Sequence, residues 1–270
     1  MNALSCPLCR LPLTLNTQGV ACERGHQFDR AKEGYFNLLP VQYKHSLQPG
    51  DAKQQLDARR QFLQAGFFAP LKSQLQKLLP DTAKNLLDIG CGEGYFTNSF
   101  AEALPEAHIY GVDIAKPGVR LAAKAAGAKG LGGHLTYAVA SSFDLPLADG
   151  SIDVITRIYA PSKDAELCRV MGTAGLLVIV APGEQHLLGL RRRIYREVRP
   201  HQQTPVPEGF RLADEQRVTA DLVIEQPAMR AALLAMTPFV WRINQQLKAD
   251  LIDNLFEDRL DFSILIYNKI

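Results

Sequence analysis

One stretch, Leu86-Leu87-Asp88-Ile89-Gly90-Cys91-Gly92-Glu93-Gly94, restricts the fold of this chain more than any other. It follows an apolar run suited to a buried strand, residues 85–89, and precedes a helical pattern over 95–104. Glycines at such a junction permit a tight turn and let a ligand approach the backbone closely. The spacing is G-x-G-x-G, not the G-x-G-x-x-G of dinucleotide binders, so a pyrophosphate is not the expected ligand. Asp88 closes the strand before the glycines, and Asp113 closes the next one, where a carboxylate can accept hydrogen bonds from both hydroxyls of a ribose. The competing reading is a purely structural glycine turn, with Asp88 serving chiefly the backbone amides of that turn.

The pattern around this turn alternates. Strands are expected over 85–89, 109–112, 135–139, 152–158 and 176–180, with helices over 95–104, 116–126 and 162–171. Alternation of this kind implies parallel βαβ units and a doubly wound sheet, an α/β fold. Two later strands, 218–224 and 260–267, follow an arginine-rich helix, and Leu260, Phe262, Ile264 and Ile266 alternate as an antiparallel edge pair would. Upstream, Pro49-Gly50-Asp51 reads as a break and a helix cap, and a second helix carries Leu71, Leu75, Leu78 and Leu79 up to Pro80. The 270 residues suffice for one large domain and an appendage, and 47% hydrophobic content argues against disorder. A net charge of +2 advertises no overwhelming basic field. No secretory signal or membrane-length apolar run is found, so a cytoplasmic location and reduced thiols are expected.

The first 40 residues differ from the rest. Short apolar pieces, 11–15 and 19–22, read as small strands in a segment too short for a core of its own. Cys6, Cys9, Cys22 and His26 are spaced C-x2-C-x12-C-x3-H. Two ligand pairs from separate turns complete a tetrahedron, as structural zinc requires, and four protein ligands leave no open position for water. Metal binding would then stabilise a fold that lacks sufficient apolar burial. Free or redox-active thiols are the alternative, and another group could replace His26. His45, His108, His134 and His201 read as surface or capping residues, and Cys91 and Cys168 as small packing residues. The division expected is a zinc-binding module over 1–40, a helical linker over 41–80 and a catalytic domain over 81–270.

The glycine turn with Asp113 resembles the class I S-adenosylmethionine-dependent methyltransferases, over roughly residues 85–180. The resemblance implies a Rossmann-like, mostly parallel sheet with an antiparallel last strand, joined here to a zinc-ribbon-like module. It implies that Gly90, Gly92 and Gly94 cradle the methionine part of S-adenosylmethionine, that Asp113 holds its ribose, and that Ser141 and Ser142 border its adenine. Many such enzymes carry an acidic residue at the position of Ser141; this chain has a serine.

Further motifs narrow the likeness: the Cys/His set, His26-Gln27-Phe28-Asp29, Ala31-Lys32-Glu33-Gly34-Tyr35, Asn37-Leu38-Leu39-Pro40, Ile158-Tyr159-Ala160-Pro161 and Met236-Thr237-Pro238-Phe239. Together with the glycine turn they resemble the 23S ribosomal RNA (guanine-N1)-methyltransferases along nearly the whole chain. That resemblance implies methylation of guanine N1 in a hairpin loop of domain II, a homodimer, and cofactor contacts by Phe68, Thr97, Asn98 and His186. Guanine N1 carries a proton and must be met unpaired or flipped out. No residue pattern designates the proton acceptor; Tyr159 could stack on the base or simply pack. Arg191, Arg192, Arg193, Arg196 and Arg199, with Lys32, Lys44, Arg59 and Arg60, form basic areas suited to RNA, though such runs are often only solvated faces. A small-molecule methyltransferase and a non-catalytic RNA-binding protein are the competing functions.

Overall fold

The computed structural model describes residues 3–40, 42, 50, 52–202 and 204–270; Lys44, His45, Pro49 and Asp51 lie outside the described residues. The N-terminal segment builds a three-stranded antiparallel sheet of β1 (Thr14–Leu15), β2 (Gly19–Ala21) and β3 (Gln27–Asp29), followed by the short β4 (Phe36–Asn37). Two helices, α1 (Lys53–Gln64) and α2 (Ala69–Leu78), lead into β5 (Asn85–Ile89). Alternation then runs through α3 (Tyr95–Ala103), β6 (His108–Asp113), α4 (Lys116–Ala128), β7 (Leu135–Val139), β8 (Ile152–Ile158), α5 (Asp164–Val170) and β9 (Met171–Pro182). The chain closes with α6 (Leu188–Ile194), β10 (Phe210–Ile224), α7 (Pro227–Met236), α8 (Gln245–Asp253) and β11 (Phe256–Lys269).

The large sheet has eight strands in the order β10-β11-β9-β8-β5-β6-β7-β4. From β4 to β9 the neighbours are parallel; β11 runs antiparallel to both β9 and β10. The chain proceeds outward from β5 through β6 and β7, then returns to β8 on the other side of β5. That reversal opens a crevice at the carboxyl ends of β5 and β8, the place where open α/β sheets bind ligands.

The two faces of the sheet are covered differently. One packs against Phe62 of α1, Leu71 of α2, Phe100 of α3, Val119 of α4 and Leu233 of α7, all buried. The other is covered by Leu167 and Val170 of α5 and by the N-terminal segment through Leu4, Leu13, Val20, Phe36 and Leu38. No helix joins β7 to β8; the N-terminal residues occupy that side instead. β4 pairs with β7, Phe36 opposite Ala138 and Asn37 opposite Val139. Leu4 bridges Leu147, and the Ala3 amide donates to the Tyr110 hydroxyl at 2.8 Å.

Several strands differ from their sequence pattern. β11 lies inside the sheet, between β9 and β10, and buries Phe262 on one face and Leu265 and Tyr267 on the other. β10 is the edge and extends back to Phe210 through Arg211, Asp214 and Glu215. Those charged residues suit a solvated outer edge and carry no apolar period. In the N-terminal segment β3 has no counterpart in the apolar pattern: its exposed-half-buried-exposed sequence, Gln-Phe-Asp, has only one apolar residue.

Candidate functional site

The turn after β5 is held by the neighbouring strand: the amides of Gly90 and Cys91 both donate to the Val112 carbonyl, at 2.8 and 3.1 Å. Gly90, Gly92 and Gly94 have φ of 74°, 52° and 83°, the left-handed region that favours glycine. A Cβ at Gly90 would lie 2.4 Å from the Cβ of Ala160, so the turn presses against the loop after β8. At Gly92 the situation is opposite. A Cβ there would meet only Nη1 of Arg59, at 3.8 Å. The backbone of Gly92 therefore faces open space, which is the cradle a close-lying ligand needs.

Asp88 is buried beneath the turn. Its two carboxylate oxygens accept from the hydroxyls of Thr97, at 2.5 Å, and Thr156, at 2.7 Å. Burial pushes its pKa up to about 6, against the pull of those two donors. Asp113 ends β6 and ties the turn down: its carboxylate accepts from the Gly92 amide at 2.9 Å and the Ala115 amide at 2.7 Å. Thr97 and Asn98 occupy the first turn of α3 and point behind the glycines. Thr97 is committed to Asp88, and the Asn98 side-chain oxygen accepts from the Tyr137 hydroxyl at 2.9 Å.

A cavity of about 650 Å³ opens over the switch point. Its β5–β6 half is lined by Asp88, Gly90, Gly92, Asp113, Ile114 and the loop Ser141-Ser142-Phe143. Thr97, Asn98 and Gly94 are not part of the lining. The β8–β9 half is lined by Phe68, Tyr159, Pro161, His186, His201 and, from α7 and the 3-10 turn Pro238–Trp241, by Leu233, Met236 and Phe239. Phe68 packs edge-on against Phe262 with centroids 4.9 Å apart. Tyr159 adopts φ 54° and turns into the cavity.

Glu93 and Arg59 join the site although their sequence pattern assigns them no role in it. Burial pushes Glu93 up to about 7, opposed by the guanidinium of Arg59. A carboxylate inside the glycine turn is a signal that the sequence does carry. His201 also lines the cavity, which corrects its reading as a surface or capping residue. Its Nε2 is buried without a hydrogen-bond partner. His108 bonds Thr136 and His134 bonds the Ala101 carbonyl, so both tie neighbouring elements together.

In the N-terminal segment Cys6, Cys9, Cys22 and His26 converge, with one donor atom of each within 4.8 Å of all the others. Sγ of Cys6 and of Cys22 each lie 3.4 Å from Nδ1 of His26, and Sγ of Cys9 lies 3.7 Å from that of Cys22. Ligands around tetrahedral zinc, with Zn–S of about 2.3 Å, sit about 3.8 Å apart along each edge. These separations are therefore edges of a coordination tetrahedron, and the donor set fits structural zinc. Two tight turns present the ligands. The Arg10 amide returns to the Cys6 carbonyl and the Gly25 amide to the Cys22 carbonyl, with φ of 64° at Arg10 and 80° at Gly25.

The metal cluster is wired to the cavity. Arg10 pairs with Asp144 and donates to the Leu145 carbonyl at 2.8 Å, directly after the Ser141-Ser142-Phe143 wall. The same carbonyl accepts from Arg169 at 2.8 Å, and the Ser5 amide bonds the Pro146 carbonyl at 2.9 Å.

Residues 4–47 match the family model for the N-terminal domain of RlmA, a zinc ribbon, and residues 80–198 match a methyltransferase domain model. The chain is 31% identical over 257 residues to the 23S rRNA (guanine(748)-N(1))-methyltransferase of Streptomyces fradiae, covering 88% of this chain and 85% of that one. The chain belongs to the 23S rRNA (guanine-N1)-methyltransferase family. YxjB of Bacillus subtilis, which carries the same guanine-N1 activity in its name, is 32% identical over 87% of this chain and 86% of its own. The YcgJ protein of Bacillus subtilis shares the fold, with TM-score 0.51 at 18% identity over 73% of this chain and 97% of that one. As a member of this guanine-N1-methyltransferase family the chain uses S-adenosylmethionine, and its four-residue Cys/His cluster fits a structural zinc.

The arginine cluster is divided in its roles. Arg191 is buried and bonds the carbonyls of Glu184 and Arg199, so it holds α6 in place. Arg193 pairs with Asp250. Arg192, Arg196 and Arg199 remain exposed. No helix among the described residues is long and apolar enough to cross a membrane.

Proposed function

We propose that this protein transfers the methyl group of S-adenosylmethionine to N1 of an unpaired guanine in 23S rRNA. The observation that carries the reading is a single cavity with two unlike halves. One half is a glycine cradle beside the Asp113 carboxylate, and the other is an apolar slot over β8 and β9. Bound in the first half, S-adenosylmethionine supplies an electrophilic methyl carbon on a sulfonium. Gly90 and Gly92 would lie along its methionine, Asp113 would accept from its ribose, and Ile114, Ser141, Ser142 and Phe143 would border its adenine. Phe68 and His186 would contact it from the opposite wall. Thr97, Asn98 and Gly94 would act from behind by fixing Asp88 and the turn.

The walls of the second half, Phe68, Leu233, Met236 and Phe239, suit a flat purine taken out of its stack. Unpaired loop bases are the usual targets of specific RNA readers, so a hairpin loop of domain II is the proposed context. Arg192 and Arg196, together with Trp241, which is 79% exposed, would offer phosphate and stacking contacts. A homodimer in the cytoplasm, with a zinc module over 1–40, a linker over 41–80 and the methyltransferase domain over 81–270, completes the reading. The apolar slot also favours a second reading, a small apolar acceptor.

Reverse transcription across 23S rRNA from a deletion strain, with and without the gene restored, separates the two. N1 methylation blocks base pairing and leaves a stop. A stop that returns with the gene is the expected result; identical patterns in both strains would refute rRNA methylation.

A further inference from the structure

The geometry points to Tyr159 as the platform on which the acceptor guanine stacks, an inference that rests on the proposed function. β8 ends at Ile158, and Tyr159 is the first residue beyond it. Its φ of 54° lies in the left-handed region. There the Cβ of an L residue crowds its own backbone, so a bulky ring is an outlier where glycine or asparagine would sit easily. Contacts on both sides impose the conformation. The Tyr159 amide donates to the Val180 carbonyl of β9 at 3.3 Å, so the residue leaves the sheet still tied to it. Ala160 is pressed against the glycine turn, where a Cβ at Gly90 would come 2.4 Å from its own. Nη1 of Arg157 donates to Oγ of Ser162 at 2.6 Å and closes the base of the loop. Strain held in this way by fixed surroundings clusters at ligand clamps and active sites.

Tyr159 lines the cavity and is 47% exposed, although its ring has His186 at 6.1 Å and Phe262 at 6.5 Å. A packing aromatic is covered, as Phe262 is at 0% exposure. Nearly half of the Tyr159 surface instead waits for a flat ring to remove it from water. The other aromatic groups of this half are engaged by the protein. Phe68 is 6% exposed and contacts the rings of Phe62 and Phe262. Phe239 meets the ring of Tyr195 edge-on at 6.1 Å. The His186 ring is turned to the backbone of Asp261 through Nδ1, and Nε2 of His201 is buried. Phe143 is exposed, but it stands on the β5–β6 half beside Ser141 and Ser142. Among the described residues, Tyr159 is therefore the aromatic face open where the acceptor lies.

A guanine turned out of its loop loses the stacking of its neighbours, and a ring that replaces one of those stacks stabilises the turned-out state. The loop that carries Tyr159 also rests on the glycine turn through Ala160. Platform and cofactor cradle thus share one rigid reference, which fixes the height of the stacked base relative to the methyl donor.

The test compares full-length Tyr159→Phe, Tyr159→Leu and Tyr159→Asn on 23S rRNA from the deletion strain. Leucine keeps apolar bulk without a flat face. Asparagine accepts the left-handed backbone, so it reports if the leucine variant fails to fold. Both should lose about tenfold to a hundredfold in single-turnover methylation at saturating rRNA and S-adenosylmethionine, the effect of one missing base–aromatic stack. Filter binding of the rRNA should stay within about threefold of wild type, because phosphate contacts dominate affinity. Tyr159→Phe keeps the ring and should hold the rate within about threefold of wild type. A folded leucine or asparagine variant that methylates at the wild-type rate, or a phenylalanine variant as slow as leucine, would overturn the inference while leaving the function intact. So would a loss of S-adenosylmethionine affinity, by calorimetry, as large as the loss of rate, since the ring would then only brace the turn at Gly90. A wild-type protein that binds S-adenosylmethionine but methylates no guanine would overturn the proposed function and this inference with it.

Discussion

Arg10, the residue after Cys9, donates to the carbonyl of Leu145 at 2.8 Å across 135 positions of sequence. The bond joins the edge of the Cys/His cluster to the loop that forms one wall of the cavity. Removing it should loosen Ser141, Ser142 and Phe143 without touching any cofactor-binding residue. Loss of one partly buried hydrogen bond is worth about 1 kcal/mol, so Arg10→Ala should weaken S-adenosylmethionine binding by about threefold to tenfold. The exposed pair with Asp144 adds little. Calorimetry giving an unchanged dissociation constant would remove the coupling.

Zinc removal should be felt well beyond the N-terminal segment. Leu4, Leu13, Val20 and Phe36 cover one face of the main sheet, and burial of each such side chain contributes about 1.5–3 kcal/mol. Stripping the metal, or making Cys6→Ser, should lower the melting temperature by more than about 10 °C and expose that face to a hydrophobic dye. A zinc-free protein, verified by metal analysis, that melts at the holo temperature would contradict the arrangement.

Gly90→Ala combines an unfavourable φ of 74° with a Cβ 2.4 Å from Ala160. We expect a cost of about 1–3 kcal/mol and a loss of cofactor binding. Gly127 lies on α4, and a Cβ added there would meet nothing within 4 Å, so Gly127→Ala should stabilise the protein by about 0.5–1 kcal/mol. Chemical denaturation of both variants beside wild type checks the pair; equal effects would mean the turn is not under steric control.

Glu93 should make cofactor binding pH-dependent. Burial raises its folded pKa from 4.5 to about 7, so without ligand the carboxyl holds its proton more tightly folded than unfolded. Its contribution to stability is therefore present below 4.5 and is lost as pH rises toward 7. A sulfonium ligand favours the ionised form and releases that proton. Affinity should rise as pH increases through about 7 and level off above it, and Glu93→Gln should flatten the curve. Titrations in buffers of different ionisation enthalpy would expose the idea if no proton is released near pH 6.5.

What the sequence discloses is what is local. The glycine turn, Asp113 and the Cys/His spacing are each read from a few adjacent positions, because turn conformation and ligand geometry depend on neighbours in the chain. Thr97 and Asn98 follow the turn closely, yet the phase of α3 directs them to Asp88 and Tyr137. His201 gives no signal at all: it reaches the cavity from the segment after α6, and its role there depends on tertiary packing. The front of β10 is equally hidden, since an edge strand bathed in solvent keeps charged residues on both faces. The wall from α7 and the turn after it shows in the sequence only as the Met236-Thr237-Pro238-Phe239 motif.

The pairing of β4 with β7, and of Ala3 with Tyr110 across 107 positions, carries a consequence for synthesis. The metal-binding segment leaves the ribosome ahead of its docking surface, which emerges about a hundred residues later. During that interval zinc alone must keep the nascent segment ordered. In a cell short of zinc, the earliest casualty should be the newly made chains, while molecules already folded keep their metal beneath a finished sheet.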